Sequence, residues 1–103
     1  MTFGIPKKSM ELILQTLRSF PEINRAVIFG SRSKGNYKRG SDIDIAVFGK
    51  QINENTINEL RIILNEELPL PYYFDIVNYE TIKDEDLKQE IDKYGIDFYK
   101  KNP

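Results

Sequence analysis

From Phe29 to Gly49 the chain reads FGSRSKGNYKRGSDIDIAVFG, so that a glycine-serine turn closes one apolar run and an alternating acidic and β-branched run opens the next. Arg25 to Phe29 holds four contiguous apolar residues before Gly30, too short a run for a stable helix, and is predicted as a buried strand. From Asp42 to Phe48, Ile43, Ile45 and Val47 alternate with Asp42, Asp44, Ala46 and Phe48, which predicts a second strand. Because a strand has period 2, Asp42 and Asp44 leave the same face, and two converging negative charges there need a cation between them. Gly30 and Ser31 end the first strand in a turn whose backbone N–H groups and hydroxyl suit a phosphate. Turn and acidic pair together predict a nucleotide-handling site.

Composition narrows the chemistry. The chain has 103 residues, enough for one domain spanning 1–103 and a modest core. Fifteen Lys and Arg against 16 Asp and Glu leave a net charge of −1, which argues against bulk nucleic-acid binding. The basic residues cluster once, at Arg32, Lys34, Lys38 and Arg39, in the loop ahead of the acidic pair. The absence of Cys and His removes thiol and imidazole nucleophiles and the usual zinc ligand sets. Any metal must then be held by oxygen, which favours Mg²⁺, with Mn²⁺ as a substitute and Ca²⁺ as a weaker candidate. With no long apolar run and no signal-peptide pattern, the expectation is a cytoplasmic protein with no membrane association.

Outside this segment the periodicity changes. Met10, Ile13, Leu14 and Leu17 follow Ser9 at helical spacing until Pro21, predicting an amphipathic helix capped by Ser9. Thr56 and Glu59 read as a capping box before Ile57, Leu60, Ile63 and Leu64, and Pro69 and Pro71 block continuation, so a second helix is predicted over 55–67. Tyr72 to Val77 is aromatic and β-branched, a third strand with Asp75 in its middle. A carboxylate there costs several kcal/mol unless it is paired, hydrogen-bonded or metal-bound, or else points to solvent from an edge strand. Leu87, Ile91 and Tyr94 mark a last helix ended by Gly95 at a C′ position, before an Ile96–Tyr99 tail that pairs or packs. The predicted fold is α/β (α+β): a small mixed sheet of three or four strands, helices mainly on one face and the site on the other.

An apolar strand, Gly-Ser, ten residues, Asp-apolar-Asp and a third Asp on a later strand resembles the DNA polymerase β-like nucleotidyltransferases. The GSRSKG and SDIDIAVFG strings are most similar to the minimal nucleotidyltransferase (MNT) proteins, small catalytic domains that are often antitoxins paired with HEPN-domain toxins. Residue by residue, the resemblance implies that Gly30 and Ser31 form the phosphate-contacting turn, that Asp42 and Asp44 are the metal-binding pair and that Asp75 is the third carboxylate. Arg32 also fits the MNT form of the turn. The resemblance further implies ATP as donor, a tyrosine hydroxyl of a HEPN toxin as acceptor, a hetero-oligomer with that toxin, and a role as the antitoxin of a type VII toxin–antitoxin pair.

Nucleotidyl transfer itself requires such residues. Charge grows on the α-phosphoryl group and the leaving oxygen, and two metal ions bridged by Asp42 and Asp44 can stabilise it. Arg32 and Lys34 add positive charge at the nucleotide, and with no histidine Asp75 is the candidate base. The rival from another class is a non-catalytic antitoxin that neutralises its toxin by complex formation alone. A small RNA-binding protein using Arg32 to Arg39 is the weakest reading. Tyr72, Tyr79, Tyr94 and Tyr99 are the candidate partner contacts.

Overall fold

A computed structural model describes residues 3–101. Helix α1 (Lys7–Arg18) begins behind Pro6, whose carbonyl accepts from Met10 N–H at 2.9 Å. Proline's fixed φ sets up the first turn there, so the helix starts ahead of Ser9, which caps nothing. Strand β1 (Arg25–Phe29) leads into a four-residue helix, α2 (Ser31–Lys34), and strand β2 follows at Ile43–Phe48. Helix α3 (Glu54–Ile62) widens into a π turn at Ile63–Glu67, filling the predicted 55–67 span. Its capping box is Asn53 with Thr56, not Thr56 with Glu59: the Asn53 side chain accepts from Thr56 N–H at 3.0 Å and the Thr56 hydroxyl accepts from Asn53 N–H at 3.4 Å.

Strand β3 (Phe74–Asn78), helix α4 (Glu85–Tyr94) and strand β4 (Ile96–Lys100) complete the order. Asp84 caps α4. Gly95 ends it, but at φ −64° and not in a left-handed turn. Close packing explains the glycine better: a Cβ there would lie 2.5 Å from the Ile91 carbonyl oxygen and 3.1 Å from Val27.

The four strands form one mixed sheet in the order β3-β2-β1-β4. β1 pairs antiparallel with β2 and β4, while β2 and β3 run parallel. The tail after Gly95 therefore pairs, as an edge strand, and Tyr99 is buried in the core and unavailable as a partner contact. Ile13 and Leu17 of α1, Leu60 of α3 and Leu64 of the π turn pack with Ile28, Ile43, Ile45 and Ile76 on one face. On the opposite face Ile91 and Leu87 of α4 cover Val27, Phe29 and Ala46. Among the described residues no helix is long and apolar enough to cross a membrane.

Candidate functional site

Alternation along β2 sends Asp44 to the α4 side of the sheet, since its neighbours Ile43 and Ile45 belong to the core beneath α1 and α3. In the parallel ladder Asp44 stands directly opposite Asp75, so the two carboxylates share a face on adjacent strands. Asp42 lies two residues earlier, exposed, just ahead of β2. β3 is an edge strand and Asp75 is exposed, so no burial penalty falls on it. A side chain of the preceding element holds β3 in place: Asn65, in the π turn, accepts from Phe74 N–H at 2.7 Å and donates to the Phe74 carbonyl at 3.0 Å. Asp75 is the next residue.

The turn after β1 meets Asp44 closely. Gly30 has φ 75°, which favours glycine, and a Cβ built on it would sit 2.4 Å from Asp44 Oδ2, so any side chain there would push the Asp44 carboxylate aside. Ser31 follows as the first residue of α2, and the N–H groups of that first turn have no partner within the helix. Gly35, at φ 82°, ends α2 after one turn. The turn that starts α2 thus lies against the Asp44 carboxylate.

Asp44 carries the electrostatic signature of this crowding. Its pKa is raised from 3.8 to about 6, first by burial and then by the charges of Asp75, Asp42 and Glu90. The oxygen-only donor set and the mutual repulsion of these carboxylates fit a hard divalent cation, which would relieve both. Among the described residues, however, no three carboxylates stand ready-made as ligands for one ion.

The two predicted cations are engaged elsewhere. The Arg32 side chain is only 3% exposed: Nη1 donates to the Phe3 carbonyl at 2.8 Å, and Nη2 and Nε donate to the Ser41 carbonyl at 2.8 and 3.2 Å. The rings of Tyr37 and Tyr72 lie 5.0 and 5.1 Å from its guanidinium carbon. Arg32 therefore ties the N-terminal segment to the loop that delivers Asp42. The Lys34 ammonium lies 2.9 Å from Glu90 Oε2, donates to Oε1 at 3.2 Å, and sits 4.7 Å from the centre of the Tyr94 ring.

Glu90 was not among the residues expected at this site. Its signal was present, because Leu87, Glu90, Ile91 and Tyr94 fall at helical spacing, which put one acid on the otherwise apolar stripe of α4. A surface hollow of about 700 Å³ lies elsewhere, lined by α3, Asn78, Thr81 and Lys83, and includes none of the residues above. The carboxylates occupy an open ledge at the strand ends.

Residues 11–103 match the family model for polymerase beta, nucleotidyltransferase. A solved toxin–antitoxin with AMP-PNP superposes with a TM-score of 0.71 at 24% identity, covering 94% of this chain and 75% of that chain. The MntA–HepT toxin–antitoxin gives 0.70 at 22% identity, covering 93% and 74%. A complex of tri-AMPylated Shewanella oneidensis HEPN toxin with MNT antitoxin gives 0.69 at 24%, covering 92% and 72%. At these identities the likeness is one of fold. No curated protein matches the chain.

Proposed function

Because the chain belongs to the polymerase β nucleotidyltransferase family, we propose that it transfers AMP from ATP to a tyrosine hydroxyl of a HEPN-domain toxin and thereby serves as the antitoxin of that pair. Residues 1–103 act as one minimal nucleotidyltransferase domain. The observation that carries this reading is the apposition of Asp44 to Gly30, with Asp75 paired to Asp44 across the ladder. It supports a site in which the amides of the turn serve the phosphates and the neighbouring carboxylates serve a metal. The fold of toxin–antitoxin complexes, one with AMP-PNP and one with an AMPylated HEPN toxin, supports the choice of donor and acceptor.

In this reading the amides of the Gly30–Ser31 turn and the Ser31 hydroxyl hold the β- and γ-phosphates, and Lys34 adds a positive charge there. Arg32 acts from within, by fixing the loop that carries Asp42. Asp42, Asp44 and Asp75 would hold Mg²⁺, or Mn²⁺ in its place, which when bound offsets the charge growing on the α-phosphoryl group and the leaving oxygen. The acceptor hydroxyl forms a new bond to the α-phosphorus, the bond to the bridging oxygen of pyrophosphate breaks, and the hydroxyl proton passes to Asp75. The ledge is open to solvent, so the partner has to complete the wall around the acceptor, which implies a hetero-oligomer.

The test is co-expression with the HEPN partner, followed by intact-mass measurement and labelling. Wild type with Mg²⁺ and ATP should add AMP units to the toxin, with label from α- but not γ-labelled ATP. Asp42→Asn and Asp44→Asn should each lower the rate by about a thousandfold or more while leaving the complex intact. A silenced toxin of unchanged mass would replace this reading with neutralisation by binding alone.

A further inference from the structure

We propose that Glu90 is a positioning residue that competes with the nucleotide triphosphate for Lys34, so that the strength of the Lys34–Glu90 pair sets the affinity for the donor. This rests on the nucleotidyl-transfer reading above. Lys34 is the last residue of α2, and a four-residue helix is about 6 Å long, so its ammonium can reach the phosphate turn at the other end. It is held instead on α4, 2.9 Å from Glu90 Oε2 and beside the Tyr94 ring.

The pair is built from residues distant in sequence, and the carboxylate has little else to hold it. Glu90 Oε2 is shielded from solvent and accepts no hydrogen bond, although it lies within ion-pair distance of Lys34. Removing the ammonium would leave that oxygen unpartnered, which favours the parked position. Glu90 is also near enough for its charge to be felt at Asp44, so it opposes an incoming triphosphate directly as well as by detaining the lysine. Both side chains are partly exposed, which keeps the pair weak enough for a ligand to open.

The experiment measures binding of ATP with Mg²⁺ to the full chain by calorimetry, in wild type, Glu90→Gln, Lys34→Met and the double variant. Glu90→Gln should bind ATP about three- to fivefold more tightly. Lys34→Met should bind it more weakly, and in that background the gain from Glu90→Gln should shrink to the part due to direct repulsion. With the toxin as acceptor, Glu90→Gln should change KM for ATP more than it changes kcat. The proposal fails alone if wild type binds ATP but Glu90→Gln binds it no better, or if the full gain persists without Lys34. Absence of any ATP binding by the folded wild type would overturn both the proposal and the reading beneath it.

Discussion

The two faces of the sheet are built on different principles. Beneath α1 and α3, Ile28, Ile43, Ile45, Leu60, Leu64 and Phe74 are wholly buried, and that face is closed by aliphatic and aromatic packing. On the other face α4 covers only part of the sheet, and the strand ends beyond Ala46 and Val77 carry Asp44 and Asp75. One face supplies the stability that the other spends on holding like charges together. Burial of apolar surface is non-directional and tolerates many sequences, whereas the acidic ledge needs particular residues at particular registers.

The sharpest test of this division is cavity formation. Ile28→Ala, at the centre of the packed face, should cost about 3 to 4 kcal/mol in urea unfolding, and Ile91→Ala, its counterpart on α4 over the other face, about 2 kcal/mol. Equal losses would erase the distinction between the faces.

A smaller effect of opposite sign is expected at Asp44. Its folded pKa lies near 6 and its ordinary value is 3.8, so between those values the native state binds the proton that the unfolded state has released. Its contribution to stability therefore falls as pH rises from about 4 to 6, and the cost is complete above that. In chelator, Asp44→Asn should be more stable than wild type by about 2 kcal/mol at pH 7.5, with the gap closing toward pH 4. Thermal melts across that range check it, and Mg²⁺ should narrow the gap at neutral pH. Least of all should come from the exposed Arg25–Asp97 pair on β1 and β4, 2.7 Å apart: Asp97→Asn should shift stability by less than about 0.5 kcal/mol in the same melts.

Residues that act through local pattern were legible in the sequence. β1 and β2 emerge to within a residue, because four contiguous apolar residues and a strict alternation leave few alternatives. Gly30 and Asp44 come together as the β1–β2 register requires, and the parallel β2–β3 ladder sets Asp75 opposite Asp44. What was not legible depends on particular hydrogen bonds and contacts, some close in sequence and some distant. The start of α1 moved to Pro6 because a single hydrogen bond from Met10 fixes the first turn. The α3 cap moved to Asn53 because its amide oxygen fits the Thr56 N–H better than a glutamate further along could. Helix α2 is too short to show a period. Arg32 looked like a phosphate ligand from its place in the turn, yet Phe3 and Ser41, which take up its donors, cannot be matched to it by spacing. Glu90 joined the site through the packing of α4 against β1, where Gly95 permits close contact with Val27.

The position of β1 between β2 and β4 has a consequence for the order of folding. Its pairing with β2 closes a short loop, so that ladder can form early. Its other edge waits for β4, since Ile28 pairs with Ile96 and all of β2, α3, β3 and α4 lies between them. Long-range closure of this kind slows folding, and during synthesis the central strand emerges with one side still open. Until β4 arrives, Ala26, Val27 and Ile28 form an apolar edge able to pair with another chain. The last strand to be made therefore protects the first.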